Sequence, residues 1–273
     1  MTSNRGWVRG GMVTSADGTE ITYLTRGRGP VIVGLHGGLG TALSLMPLAG
    51  HLADRFTVAL VNLRGHGTSQ RGCSAPHIDR YTEDVGAVIN TVGPIEALFG
   101  YSFGAVIALE TALSAPELVP RLALYEPPLP ATYPTPDRAW MARMLDQGRY
   151  EELVLHALAQ GGGGLSPAEV AGARDNPLWL SNVAHAPTLL PTMQVLAEIP
   201  ADVHRYATLT TPTTLISGTT SATFLHDAIG LLAEVLPHSR RVQLARQGHH
   251  VDPAQLAVVL AALTDGPTGR PVR

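Results

Sequence analysis

The chain has 273 residues, of which 45% are hydrophobic and 15% are charged, and its formal net charge is −3. This composition is typical of a folded globular protein and, because no basic run is present, it argues against nucleic acid as a partner. The single cysteine, Cys73, excludes an internal disulfide and a cysteine-rich zinc site, and the absence of lysine excludes Schiff-base chemistry.

In chain order, the first ten residues are mostly polar, and no apolar stretch approaches the length of a membrane span, so we expect a cytoplasmic protein without membrane contact. Short apolar runs then alternate with segments of helical spacing, which predicts a largely parallel sheet with helices on both faces. Strands, the first two as an antiparallel edge hairpin, are predicted near residues 7–13, 19–24, 31–35, 56–61, 95–99, 121–125, 212–217 and 241–244. Helices are predicted near residues 41–54, 79–92, 105–113 and 253–264.

The strand pattern stops between residues 127 and 206, where helix-like segments with proline and glycine breaks replace it. An insertion of this size in an α/β sheet usually lies over the carboxyl ends of the strands, where ligands bind. We therefore predict an α/β core formed by residues 1–126 and 207–273 and a helical cap formed by residues 127–206. The run Gly161–Gly164 is predicted to be a flexible connector between cap helices.

The pentapeptide Gly100–Gly104, Gly-Tyr-Ser-Phe-Gly, lies between a predicted strand and a predicted helix. Gly-x-Ser-x-Gly at such a junction is the pattern of a nucleophile elbow, a turn so tight that its serine has a strained backbone and needs glycines two residues before and after it. The serine hydroxyl then projects alone from the start of a helix, whose N-terminus stabilises negative charge. Ser102 is therefore the candidate nucleophile.

Five segments, which occur in the expected order, resemble those of the α/β-hydrolase superfamily over nearly the whole chain. They are Asp17–Thr19 with Tyr23, His36–Gly40 (His-Gly-Gly-Leu-Gly), Asn62–Ser69 (Asn-Leu-Arg-Gly-His-Gly-Thr-Ser), the elbow, and Gly248-His249. The resemblance implies an α/β-hydrolase fold and a serine enzyme that needs no metal and no organic cofactor. Superfamily members that are epoxide hydrolases or haloalkane dehalogenases use an elbow aspartate, so the elbow serine argues against both.

A serine hydroxyl is weakly nucleophilic until an imidazole removes its proton. The base should lie in the loop after the last strand, where His249 and His250 are adjacent. The Gly-His pattern of the superfamily favours His249, and His250 is the alternative. The resemblance also implies that the backbone N–H groups of Gly38 and Phe103 form the oxyanion hole, and that His36 orients this loop without taking part in the chemistry.

The superfamily usually places its catalytic acid after the strand at residues 212–217, but the residues there, Gly218–Ser221, include no carboxylate. Glu126 ends the strand that follows the elbow strand, so it should emerge at the same sheet edge as Ser102, an arrangement that resembles certain dehalogenases and lipases. We expect Glu126 to be the acid. The alternatives are a structural Glu126 that binds backbone amides of the cap, and a Ser–His dyad supported by the hydroxyl of Thr220 or Ser221.

These residues predict a serine hydrolase that cleaves an ester, thioester, lactone or related acyl bond through an acyl-enzyme on Ser102. The alternatives are an acyltransferase or lyase on the same scaffold and a noncatalytic small-molecule-binding protein. The expected partner is a small-molecule substrate with an apolar acyl part. The predicted substrate-binding side chains of the cap are Trp140, Met144, Trp179 and Met193.

Overall fold

The computed structural model of the protein describes residues 8–161 and 167–263, and its central element is an eight-stranded sheet. The strands are β1 (Val8–Thr14), β2 (Glu20–Gly27), β3 (Val31–Leu35), β4 (Thr57–Val61), β5 (Ile95–Tyr101), β6 (Leu122–Tyr125), β7 (Thr213–Gly218) and β8 (Ser239–Leu244). Their order is β1-β2-β4-β3-β5-β6-β7-β8. The pairs β1-β2 and β2-β4 are antiparallel and all others are parallel, which confirms the predicted, largely parallel sheet with an edge hairpin.

Helices cover both faces of this sheet. Those outside the insert (residues 127–206) are α1 (Met46–Leu52), α2 (Ile78–Val92), α3 (Phe103–Ser114), α9 (Thr223–Val235) and α10 (Pro253–Ala261). The helices α1 and α10 pack together over one face, and α2, α3 and α9 share a separate hydrophobic cluster on the other. In the part of the chain that the structure describes, no helix combines the length and apolar character needed to cross a bilayer.

The burial of the central strands explains why short apolar runs in the sequence predict the sheet. All four residues of β6 are fully buried, and in β3 only Val31 is partly exposed. Parallel strands with both faces covered need apolar side chains on both sides, so their sequences are continuous apolar runs instead of alternating ones. The edge strand β1, in contrast, is mostly exposed.

The described residues of the insert form helices and no strand, as the loss of the strand pattern predicts. The helices are α4 (Arg138–Asp146), α5 (Tyr150–His156), α6 (Pro167–Gly172), α7 (Trp179–Ala184) and α8 (Leu189–Glu198). Their buried side chains join the hydrophobic cluster of α2, α3 and α9, and α8 packs against α2. The division into an α/β core and a cap stays a prediction. Of the predicted glycine connector, Gly161 ends a π-helical turn (Ala157–Gly161), and residues 162–164 lie outside the described residues.

Candidate active site

Ser102 lies between β5 and α3 with φ 55° and ψ −121°. A residue other than glycine held in such a sparsely populated conformation costs about 1–3 kcal/mol, so the surrounding structure must maintain it. The N–H of Ser102 donates to the carbonyl of Tyr125 at 2.8 Å, and its own carbonyl accepts from the N–H of Ala105 at 2.8 Å. Hydrogen bonds to β6 and to α3 therefore fix the strained turn.

The elbow glycines are required by close backbone contacts. A Cβ atom on Gly100 would lie 2.4 Å from the carbonyl oxygen of Gly104. A Cβ atom on Gly104 would lie 2.5 Å from the carbonyl oxygens of Leu35 and His36. The first glycine thus lets β5 turn sharply into α3, and the second lets α3 begin against the loop that follows β3.

Three side chains from distant parts of the chain meet at this turn. The Nε2 atom of His249 lies 3.1 Å from Ser102 Oγ, and its Nδ1 atom lies 2.8 Å from Glu126 Oε2. All three residues are buried. Because Nδ1 faces a carboxylate, it carries the proton of the neutral ring, which leaves Nε2 free to accept from the serine hydroxyl. The ring in contact with Ser102 is that of His249, while His250 lines the adjoining cavity.

Glu126 is fully buried, and its backbone has a φ of 47°. Its Oε1 atom accepts hydrogen bonds from the N–H of Gly218 at 2.8 Å and from the hydroxyl of Ser221, while Oε2 faces His249. The residues at the usual acid position therefore bind the carboxylate instead of supplying one. One alternative was a structural Glu126 that binds backbone amides of the cap, but the amide that Glu126 binds is that of Gly218, the last residue of β7. The other was a dyad supported by Thr220 or Ser221, and the hydroxyl of Ser221 donates to Glu126.

Two tyrosines hold the loop that carries His249. The hydroxyl of Tyr101 donates to the carbonyl of His249, and that of Tyr125 donates to the carbonyl of Gly248. The two rings stack with centroids 5.4 Å apart because Tyr101 and Tyr125 are register partners in β5 and β6. Burial, and then the charge of Glu126, raise the pKa of both hydroxyls, so both remain donors. Neither tyrosine is among the predicted site residues. Their position at the ends of the elbow strand and of the next strand was the sequence signal that could have identified them.

The loop after β3 is oriented by His36. The Nδ1–H of His36 donates to the carbonyl of Gly37 at 2.8 Å, and the N–H of Gly40 donates to the same carbonyl at 2.9 Å. The Nε2 atom of His36 accepts from the N–H of Leu63 at 3.1 Å, which fixes this tautomer. In a trans peptide the N–H points away from the preceding carbonyl, so these contacts direct the N–H of Gly38 to the opposite side.

This loop lies directly against the nucleophile. A Cβ atom on Gly37 would lie 3.2 Å from Ser102 Cβ, and Gly38 lines the same cavity as the serine hydroxyl. Phe103 is the first residue of α3, so its N–H has no acceptor within the helix. Gly38 and Phe103 thus lie close to Ser102, and their role as an oxyanion hole stays a prediction.

Two further histidines link this loop to the insert. The Nε2 atom of His66 lies 3.0 Å from the carbonyl oxygen of Gly38. The ring of His66 stacks on that of His185, with centroids 5.6 Å apart. The Nε2 atom of His185 accepts from the N–H of Gly67 at 2.9 Å. The turn after β4, the loop after β3 and the insert are therefore held together beside the nucleophile.

The buried histidines make stability depend on pH. Burial lowers the pKa of His66 from 6.5 to about 4 and that of His36 well below 6.5. Between pH 6.5 and about pH 4 the imidazole of His66 binds a proton in the unfolded chain but not in the folded chain. Its contribution to the free energy of unfolding is therefore fully present above pH 6.5 and is lost as the pH falls. We expect the free energy of unfolding to fall by about 3 kcal/mol through His66 alone by pH 4, measured by urea denaturation at stepped pH.

The matched control for this pH dependence replaces one histidine at a time. His66→Gln should reduce the slope of unfolding free energy against pH between about pH 6.5 and 4, because glutamine does not titrate there. His238→Gln, at an exposed position, should leave the slope nearly unchanged. Equal slopes for His66→Gln and the unaltered protein would contradict the assignment of a neutral, buried His66.

A cavity of about 300 Å³ opens beside Ser102. The apolar residues that line it from outside the insert are Leu39, Leu45, Leu48, Val251, Pro253 and Leu256. The insert contributes apolar lining from the π-helical turn after α5 and from the segments around α7 and α8, namely Ala157, Leu158, Leu178 and Leu189. Within the described residues, no group of three or more histidine, cysteine or acidic side chains is placed to hold a metal ion.

The four predicted substrate-binding residues of the insert, Trp140, Met144, Trp179 and Met193, do not line this cavity. The side chains of Met144, Trp179 and Met193 are buried in the hydrophobic cluster, and Trp140 packs partly buried against it. These large side chains pack the helices of the insert against one another and into the hydrophobic cluster of α2, α3 and α9. The cavity is lined by smaller apolar residues of the same segment instead.

A sequence profile of the α/β hydrolase fold matches residues 30–251 of the chain. An α/β hydrolase from Sphaerobacter thermophilus is 32% identical, with a TM-score of 0.84, over 93% of this chain and 99% of that one. The uncharacterized hydrolase YraK of Bacillus subtilis is 33% identical over 130 residues, which is 46% of each chain. The 2-(acetamidomethylene)succinate hydrolase of Mesorhizobium japonicum is 34% identical over 95 residues, which is 34% of each chain.

The matches to these two curated relatives span less than half of the relatives' own lengths. The profile match, in contrast, includes all strands from β3 to β8, and the solved Sphaerobacter structure covers 93% of the chain. The chain therefore belongs to the α/β hydrolase fold family.

Proposed function

We propose that the protein is a serine hydrolase that cleaves an ester, thioester, lactone or related acyl bond through an acyl-enzyme on Ser102. The observation that carries the proposal is the continuous hydrogen-bonded path from Ser102 through His249 to Glu126, beside a cavity large enough for a small molecule. The similarity to proteins named as hydrolases supports the same reaction class.

In the first half of the reaction, His249 Nε2 takes the proton of the Ser102 hydroxyl while Oγ attacks the carbonyl carbon of the substrate. The imidazolium that forms is stabilised by the buried carboxylate of Glu126. The carbonyl oxygen becomes an oxyanion, which the N–H groups of Gly38 and Phe103 bind. Each such donor contributes about 3 kcal/mol of transition-state stabilisation.

In the second half, the imidazolium of His249 gives its proton to the leaving alcohol, thiol or other group, and the acyl-enzyme remains on Ser102. His249 then removes a proton from water, and the resulting hydroxide attacks the acyl carbon through a second oxyanion. Collapse of this intermediate releases the carboxylic acid and returns the proton to Ser102 Oγ. Protons and electron pairs balance without any cofactor.

The substrate that fits this cavity has an apolar acyl part. Ten of the lining residues are alanine, valine, leucine or proline, of which six lie outside the insert and four belong to it. Apolar surface removed from water contributes about 25 cal/mol per Å², so binding of such an acyl chain is favoured. The cavity volume of about 300 Å³ suits a small ligand.

A fluorophosphonate probe tests the proposal because it reacts only with an activated serine. We expect loss of fluoride and a phosphonyl adduct on the peptide that contains Ser102, detected by mass spectrometry. Ser102→Ala should abolish the adduct. Ser44→Ala, which removes another hydroxyl from the same cavity, should leave the adduct in place. A protein that forms no adduct, or forms one on another residue, would contradict the proposed function.

A further inference from the structure

The cavity beside Ser102 contains a polar group that the proposed reaction does not use. Asn182 lies on α7 and lines the cavity, half-buried. Its backbone is committed to the helix, because its N–H donates to the carbonyl of Leu178 at 2.9 Å and its carbonyl accepts from the N–H of His185 at 3.2 Å. Its side-chain amide makes no hydrogen bond with any other described residue.

The nearby amide of Asn176 is different, since its Oδ1 atom accepts from the N–H of Leu178 at 2.8 Å and fixes the turn before α7. The amide of Asn182 therefore keeps both its donors and its acceptor available beside the apolar side chains of Leu158, Leu178 and Leu189, whereas the amide of Asn176 keeps only its NH₂ donors. A substrate group that hydrogen-bonds to this amide gains orientation as well as binding energy, because the bound acyl chain itself displaces water from the half-buried amide.

Within its described lining, the same cavity offers no arginine or lysine to an ionised substrate, and its basic side chains are the imidazoles of His36, His249 and His250. Among the described residues that line it, none is an arginine, aspartate or glutamate. Burial keeps the ring of His36 neutral. A carboxylate that enters this space loses part of its hydration and gains no arginine or lysine partner, which is unfavourable.

We infer that the enzyme selects uncharged acyl groups that carry one hydrogen-bonding function, such as a ketone, hydroxyl or amide, which binds to Asn182. This inference rests on the proposed function, in which the cavity beside Ser102 takes the acyl chain. It goes beyond that function because it assigns a specificity-determining residue and excludes acyl chains that end in a carboxylate.

The test uses p-nitrophenyl esters with acyl chains of equal length: heptanoate, its 4-, 5- and 6-oxo derivatives, and the pimelate half-ester, whose chain ends in a carboxylate. We expect at least one oxo ester to exceed heptanoate in kcat/KM by about 10-fold, which corresponds to one hydrogen bond. We expect the half-ester to fall about 100-fold or more below heptanoate, because its carboxylate must be buried without a partner.

Two substitutions at Asn182 identify the group responsible. Asn182→Leu should lower the ratio of kcat/KM for the best oxo ester to that for heptanoate by about 10-fold. Asn182→Arg should raise kcat/KM for the pimelate half-ester relative to heptanoate, because it supplies the missing cation. Asn90→Leu, the same change at an exposed position of α2, should alter neither ratio. The rate of fluorophosphonate labelling shows that each variant is folded and active.

The outcomes separate this inference from the proposed function. If Ser102 is labelled but the pimelate half-ester is hydrolysed as fast as heptanoate, the charge selection is wrong while the serine hydrolase stands. If Asn182→Leu leaves the oxo preference intact, Asn182 is not the binding residue. If Ser102 is not labelled and no ester is cleaved, the proposed function fails first.

Discussion

Replacing Ser102 with alanine should lower kcat for a p-nitrophenyl ester by about 10⁶-fold, because no acyl-enzyme can form without the hydroxyl. His249→Ala should cause a loss of similar size, since the serine then keeps its proton. The 3.1 Å contact between Nε2 and Oγ predicts that these two residues act as one unit. The double variant should therefore be no slower than either single variant.

The measurement is steady-state release of p-nitrophenolate, corrected for the uncatalysed rate, for the two single variants and the double variant. His238→Ala serves as the control because His238 is exposed, and it should retain full activity. Losses that multiply in the double variant would show that Ser102 and His249 act independently. Some activity should survive in every variant, because binding and the N–H groups of Gly38 and Phe103 still stabilise the transition state.

The sheet and the nucleophile could be predicted from the sequence because short-range patterns determine them. The strand β3 has the predicted bounds, Val31–Leu35, since this apolar run begins directly after Pro30 and ends before the polar His36, as expected for a parallel strand covered on both faces. The elbow is equally local. Five consecutive residues, Gly100–Gly104, combine the strained serine with glycines on which a Cβ atom would clash with backbone.

The contents of the cavity could not be predicted in the same way. The helices of the insert are short, and their apolar residues can face the sheet, another helix or a ligand with equal periodicity. Trp179 and Met193 are therefore indistinguishable in sequence from Leu178 and Leu189, yet only the two leucines line the cavity. The contacts of Tyr101 and Tyr125 with the histidine loop depend on strand register, which is a long-range property.

The position of Glu126 could be predicted from the sequence, but most of its contacts could not. Its position at the end of β6 follows from the strand pattern, but its partners come from β7, from Ser221 and from His249. A carboxylate buried without partners would be strongly destabilising, so a glutamate at this position predicts donors nearby. The sequence predicts His249 as a donor, whereas the N–H of Gly218 and the hydroxyl of Ser221 become evident only in three dimensions.

Replacing Glu126 with glutamine should lower kcat by about 10⁴-fold while the protein remains folded. The amide oxygen of glutamine can still accept from the N–H of Gly218 and the hydroxyl of Ser221, at the place of Oε1. Its NH₂ group then faces Nδ1 of His249, which must become an acceptor. The ring proton moves to Nε2, and that atom can no longer take the proton of Ser102.

The experiment compares kcat and thermal unfolding for Glu126→Gln and for Glu198→Gln, the same change at an exposed position. Glu198→Gln should match the unaltered protein in both measurements. A fully active Glu126→Gln variant would exclude Glu126 as the catalytic acid, since its carboxylate would then serve only to bind Gly218 and Ser221. A variant that keeps its unfolding temperature but loses turnover would instead assign the 2.8 Å contact with Nδ1 to catalysis, because a purely structural carboxylate has no effect on the tautomer of His249.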